Sequence, residues 1–291
     1  FTTGTPLCAR IANSDQHSKD YSILADKMRP GHADYAGHVR YQGFNDYRGG
    51  GHFSGRLTAP LVFAGAVAKQ ALAQHGIVVG SHILQINDIQ EERFNPMGVS
   101  DAELAELHAK KFAVMDDTVG EKMQERILQA KSELNSVGGV VEAIALHLPA
   151  GIGAPYFDSV ESMLSHALFS VPAVKGIEFG DGFGFAGLTG AEANDALHYV
   201  DGKVLALTNH NGGVTGGITN GMPLVVRVAI KPTPSIAREQ QTVSLKEQAD
   251  TTLAIVGRHD PCIVQRAVPV IEAVVAWTLW DLLLEAKKWE K

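Results

Sequence analysis

Apolar positions recur in two rhythms along the 291 residues. Leu224, Val226, Val228 and Ile230 alternate with Val225, Arg227 and Ala229, a period-two strand with one polar interruption. Gly139 to Leu148 has strand character too and stops at Pro149, and Val78, Ile83 and Ile86 mark a further strand region. A short strand is read at Leu7 to Ala12. Elsewhere the spacing is helical. Leu57 to Gln74 reads as an Ala-rich helix, and Leu104 and Leu107, then Met123, Ile127 and Leu134, recur at helical intervals, with Gly120 expected to separate two segments. Ser100 with Glu103 three residues on is a capping box. Another helix is predicted between Ser159 and Phe169, and a long one follows Cys262, with Pro269 near its first turn or at a kink. Lys231-Pro232-Thr233-Pro234-Ser235 ends the preceding strand, since two prolines cannot continue a central ladder. Strands and helices alternate without the regular spacing of a barrel or a doubly wound sheet, which predicts a layered α+β class.

Composition narrows the function classes. With 45% hydrophobic and 20% charged residues the chain can bury a substantial core. The formal net charge is −7 and no long run of Lys and Arg offsets it, which argues against nucleic-acid and membrane-surface partners. An anionic small molecule must then be met by local cations and backbone N–H groups. Cys8 and Cys262 make no disulfide framework and read as buried thiols of a reducing compartment, so cytoplasm is the expected location. Histidine and cysteine spacing offers no metal site. The apolar stretch Ile263 to Leu284 carries Gln265, Arg266, Pro269, Glu272 and Asp281, so a core helix is preferred to a membrane span.

Four constellations can carry chemistry. Arg29, His32 and Asp34 surround a Pro-Gly turn, where His32 either serves as an acid or base or merely closes the turn. Arg48, the Gly49–Gly51 run, His52, Ser54 and Arg56 lead towards a helix start, suited to phosphate or carboxylate or simply a tight turn with solvated arginines. The tract Asn209 to Gly221, with Lys231, Thr233 and Ser235 beyond it, admits either a planar ligand or close packing of backbones. Arg258, His259 and Asp260 precede Pro261, with Asp260 the sharper candidate for a base.

These blocks, with Thr2 to Pro6, Val174 to Gly182 and Arg266-Ala267-Val268-Pro269, stand in an order that resembles the chorismate synthase family over nearly the whole chain. The resemblance implies a carbon–oxygen lyase that converts 5-enolpyruvylshikimate 3-phosphate to chorismate and phosphate by anti 1,4-elimination at reduced FMN. NADPH is one reductant found in the family, and an outside source is the other. A β-α-α-β sandwich, with helices between two mainly antiparallel sheets, and a homotetramer are implied as well. Carried over residue by residue, His32 resembles the histidine beside the flavin, and Asp260 the carboxylate that acts in deprotonation through flavin N5. Arg29, Arg48 and Arg56 fall at substrate-binding positions. His52, Phe53, Ser54, Ala173, Gly216, Lys231, Pro232, Thr233, Pro234, Ser235 and Arg258 match flavin-contacting ones. Two departures matter. Where many members have Arg-Ser-Ser-Ala-Arg, this chain has His52-Phe53-Ser54-Gly55-Arg56. The family's N-terminal Gly-Glu-Ser-His-Gly motif does not occur, so residues 1–291 are expected to form one domain lacking its N-terminal segment, and on their own a poor catalyst. A non-catalytic flavin or phosphometabolite-binding module is the alternative.

Overall fold

A computed structural model describes residues 3–13, 23–255 and 260–287. In chain order they form α1 (Asp34–Arg40), α2 (Thr58–Ala73), β1 (Val78–Ile86), β2 (Ile89–Gln90), α3 (Asp101–Ala109), α4 (Asp117–Ser132), β3 (Gly139–Leu146), α5 (Val160–Phe169), β4 (Val174–Phe179) and α6 (Gly190–Ala193). Then come β5 (Leu197–Val200), β6 (Lys203–Ala206), β7 (Val214–Thr215), β8 (Ile218–Thr219), β9 (Leu224–Ile230), β10 (Gln240–Ser244), β11 (Ala249–Leu253) and α7 (Val264–Lys287).

The main sheet has the order β2-β1-β3-β9-β4 with every neighbour antiparallel. Because side chains alternate between faces, its strands feed two cores. Val79 and Ile83 of β1, Val141 and Ala143 of β3, and Val226, Val228 and Ile230 of β9 join residues of α2, α5 and α7. On the other face Ile144, Leu146 and Val225 meet Phe94 and the α3 leucines Leu104 and Leu107. The remaining strands pair as the hairpins β5-β6, β7-β8 and β10-β11. The α+β class therefore holds. One five-stranded sheet and three hairpins stand, among the described residues, where a sandwich of two mainly antiparallel sheets was expected.

Helix ends follow the capping logic. Ser100 Oγ accepts from Glu103 N at 3.2 Å, while Ser100 N donates to the Glu103 carboxylate at 2.7 Å. Asp116 caps α4 by accepting from Thr118 N, and Ser159 caps α5 by accepting from Ser162 N. Helix α7 is long and apolar enough to cross a membrane, but 67% of its apolar window is buried inside the protein, as a core helix requires. Pro269 lies within it, past the first turn.

Three expectations need correction. Residues 7–12 form no strand and are exposed, and no strand among the described residues pairs with them. Gly120 does not divide the α3–α4 tract: it lies inside α4, where an added Cβ would come within 2.6 Å of Val114 Cγ2, and the break falls at residues 110–116. Cys8 is exposed; only Cys262 is a buried thiol, and burial pushes its pKa up to about 11.

Candidate active site

The segment Lys231 to Ser235 leaves β9 as irregular chain, because its two prolines have no N–H to donate to a ladder. Several segments converge on it. Lys231 N donates to the carbonyl of Ala173 at 2.9 Å, and Ala173 adopts a positive φ of 75° just before β4. Ser136 Oγ donates to the carbonyl of Thr233 at 2.7 Å. Gly138 lies so close that an added Cβ would sit 2.9 Å from Pro232 N. Lys231 Nζ donates to the carbonyl of Gly31, and Arg29 Nη1 donates to Ser235 Oγ at 3.1 Å. Burial, and then the neighbouring Lys175 ammonium, lower the pKa of Lys231.

Arg29, His32 and Asp34 form one cluster at this edge. Arg29 grips Asp34 through two side-chain bonds, Nε to Oδ2 at 2.7 Å and Nη2 to Oδ1 at 2.8 Å, and its backbone N adds a third at 3.1 Å. His32 Nδ1 lies 2.7 Å from Asp34 Oδ1. Burial raises the Asp34 pKa, but the hydrogen bonds from Arg29 and His32 outweigh it and hold the carboxyl well below the usual range. Arg29, expected at a substrate-binding position, thus spends most of its donors on Asp34 and Ser235.

The Arg48–Phe53 turn of 3₁₀ helix lies against His32: a Cβ at Gly50 would be 3.7 Å from both His32 Nε2 and Ser54 Cβ. Phe53 packs on α1, where only a glycine leaves room, since a Cβ at Gly37 would stand 2.5 Å from the ring. Ser54 Oγ accepts from Arg56 N at 3.2 Å. His52 and Arg56 are exposed. Arg48 is exposed as well and is bound to Asp46, with Nε to Oδ1 at 2.8 Å and Nη2 to Oδ2 at 3.1 Å.

Asp260 joins the cluster because Val137 N donates to the carbonyl of Pro261 at 2.8 Å, next to the residue that holds Thr233. Its Oδ1 accepts from Cys262 N at 3.3 Å. Its Oδ2 is buried and accepts no hydrogen bond among the described residues, although Arg266 Nε stands 3.1 Å away as an ion-pair partner. Thr233 Oγ1 is likewise buried and without a hydrogen-bond partner among the described residues. Arg258 and His259 lie outside the described residues.

Gly216 does not join them. It occupies the turn of the β7-β8 hairpin near the start of α5, at the opposite end of β9 from Lys231, about 20 Å along a strand of this length. Most of the glycine tract serves backbone packing. Gly212 approaches Gly180, Gly213 approaches Pro223, and Asn209 Nδ2 donates to the carbonyls of Pro96 and Pro223.

A polar row through the main sheet was not foreseen. His82, Glu142, Arg227 and Glu178 stand opposite one another on β1, β3, β9 and β4. His82 Nε2 lies 3.0 Å from Glu142 Oε2 and Nδ1 contacts Glu91. Arg227 donates to Glu142 at 3.0 Å, to Glu178 at 2.5 Å and to the carbonyl of Gly180. Its one sequence signal is the polar interruption at Arg227.

Comparison with known proteins fits this arrangement. The sequence model described as chorismate synthase matches residues 1–284. A chorismate synthase of Pyrococcus abyssi is 46% identical over 290 residues, covering 100% of this chain and 80% of that protein. One of Thermococcus gammatolerans is 47% identical over 291 residues with the same coverage. A crystal structure of a chorismate synthase superposes with a TM-score of 0.71 at 30% identity, covering 87% of this chain and 70% of that one. A fold match of this extent, with relatives so similar along the whole chain, means that this chain belongs to the chorismate synthase family.

Proposed function

We infer that this chain is a chorismate-forming carbon–oxygen lyase, acting on 5-enolpyruvylshikimate 3-phosphate with reduced FMN held along the Lys231–Ser235 segment. The observation that carries the reading is a pair of buried polar atoms without hydrogen-bond partners among the described residues, Thr233 Oγ1 and Asp260 Oδ2, on two segments tied together through Ser136 and Val137. Buried polar groups are nearly always satisfied, so such a pair fits a bound polar ligand. Ala173, Lys231 to Ser235 and the His52–Ser54 turn would hold the flavin, with Arg258 beyond the described residues. Gly216 is so far along β9 that only the far end of an extended ligand or another copy of the chain would bridge the gap.

A reduced FMN held by these residues would supply the electron density that the elimination needs. The chain's own residues do the rest. Lys231 provides a cation beside the site, and its partial burial strengthens its pull on an anion. His32 holds or moves a proton at its imidazole, against the turn that carries Ser54. Asp260 offers Oδ2, which pairs with Arg266 but accepts no hydrogen bond among the described residues, to receive a proton. The homotetramer belongs to the same reading: Leu197, Tyr199, Val204 and Leu207, on and beside the β5-β6 hairpin, are exposed apolar side chains that a neighbouring copy would cover.

The test is an anaerobic assay of the full-length protein with reduced FMN and the phosphorylated enol substrate, following phosphate release and flavin absorbance together. No release from a flavin-loaded protein would sink the activity. Asp260→Asn is expected to keep flavin binding and slow turnover by about 10²–10⁴-fold, the worth of a general base; unchanged turnover removes Asp260 from that role.

A further inference from the structure

We propose that Asp34 is a positioning residue that fixes the tautomer of His32, so that Nε2 is the ring nitrogen available for proton transfer. The proposal rests on the functional reading above but makes a claim of its own about the resting protein.

Nδ1 of His32 is crowded. Two groups reach it: the Asp34 carboxylate at 2.7 Å and Arg29 Nη2 at 3.2 Å. An unprotonated Nδ1 would set its lone pair against a carboxylate oxygen at hydrogen-bond distance. Carrying the proton, Nδ1 donates a charge-assisted bond to Asp34 Oδ1. Arg29 Nη2 already donates to that same oxygen at 2.8 Å, so it needs nothing from the ring. Asp34 cannot turn away. Its Oδ2 accepts from both Arg29 N and Arg29 Nε, and Arg29 is in turn held by Ser235. Both residues are buried, at 8% exposure for Arg29 and 6% for Asp34. The carboxylate is therefore a rigid acceptor, and the other ring nitrogen is left to face Gly50.

An amide in place of the carboxylate reverses the pattern. In Asp34→Asn the side-chain oxygen is claimed by Arg29 Nε and N, which can only donate. The amide NH₂ then faces His32 Nδ1, which must accept, and the proton moves to Nε2. The same exchange of tautomer underlies the loss of rate when a triad aspartate becomes asparagine.

The experiment is nitrogen NMR of full-length protein labelled at the histidine ring nitrogens, at a pH where the imidazole is neutral, with the His32 signals assigned by their loss in His32→Gln. The native protein should show a protonated Nδ1 and an unprotonated Nε2, and Asp34→Asn the reverse. The kcat of Asp34→Asn should fall about 10²-fold or more with little change in KM, and Asp34→Glu should recover the native tautomer and part of the rate. A native spectrum with the proton on Nε2 overturns the proposal without either Asp34 variant having to fold. So does an Asp34→Asn protein that loses its rate while keeping the native tautomer. If the protein shows no elimination activity, the functional reading fails, while the spectra still decide what Asp34 does to His32.

Discussion

Arg227 has aliphatic neighbours before and after it on β9, and it stays there because Glu142 and Glu178 stand opposite it on the two adjoining strands. Removing one member of a buried ionic group leaves its partners charged and dry, at a cost of about 3–5 kcal/mol. Arg227→Met, which keeps most of the side-chain volume, is therefore expected to lower the unfolding free energy by about that amount in urea denaturation. A loss below about 1 kcal/mol, the worth of an exposed pair, would mean that the row carries no structural weight. This side chain also shows what the sequence could convey at the scale of single residues. Its polarity inside a strand pattern is visible, whereas its partners sit 85 and 49 residues away and depend on strand order. The arginines of the candidate site are similar. Their clustering with histidine and glycine was readable, but not that Arg48 is spent on Asp46 and Arg29 on Asp34.

At the scale of elements, the apolar pattern reported α2, α5, β3, β9 and α7 well, because turn and capping residues bound each apolar run, as Pro149 does after β3 and Pro232 after β9. It failed where a glycine serves packing instead of a turn. Gly120 reads as a helix break but lies inside α4 under Val114. Gly65 is the stronger case, hidden within an Ala-rich helix. A Cβ there would overlap Ala273 Cβ and stand 2.8 Å from the Ala273 carbonyl oxygen, so this glycine sets the approach of α2 to α7. Nearby, Lys69 of α2 pairs with the buried Glu272 of α7, which also accepts from Ser81 Oγ of β1 at 2.8 Å. In an exposed helix, Gly→Ala raises helix propensity. Here overpacking dominates, and Gly65→Ala is expected to destabilise by about 1–3 kcal/mol, read as a lowered urea midpoint at unchanged m-value. A raised midpoint would show that the two helices separate without loss and that the close contact does not govern their packing.

At the scale of the whole molecule, the polar row ties the sheet to chain that lies off it. Phe94 N donates to Glu142 at 2.6 Å, and Met115 N and Asp116 N donate to Glu91 at 3.0 and 3.2 Å, so the approaches to both α3 and α4 are fastened to His82 and its carboxylates. Burial lowers the pKa of His82, but bonds to Glu142 and Glu91 outweigh it, and the net direction is upward from 6.5. A raised folded pKa contributes stability that is fully present below 6.5 and is lost as pH climbs through the folded value. Glu142 moves the other way: burial raises its pKa, while His82, Phe94 N and Arg227 bring it below 4.5. Its contribution is present above 4.5 and is lost as pH falls through the lowered value. The two windows overlap fully between 4.5 and 6.5. His82→Gln keeps a neutral hydrogen-bonding side chain but cannot become charged. Urea midpoints of native protein and His82→Gln should therefore differ most below pH 6.5, and the gap should narrow as the native imidazolium loses its proton on the alkaline side. A gap that stays constant across that range would mean that His82 holds its proton no more tightly folded than unfolded, and a gap that shrinks as pH falls below 6.5 would mean that the buried imidazole is neutral.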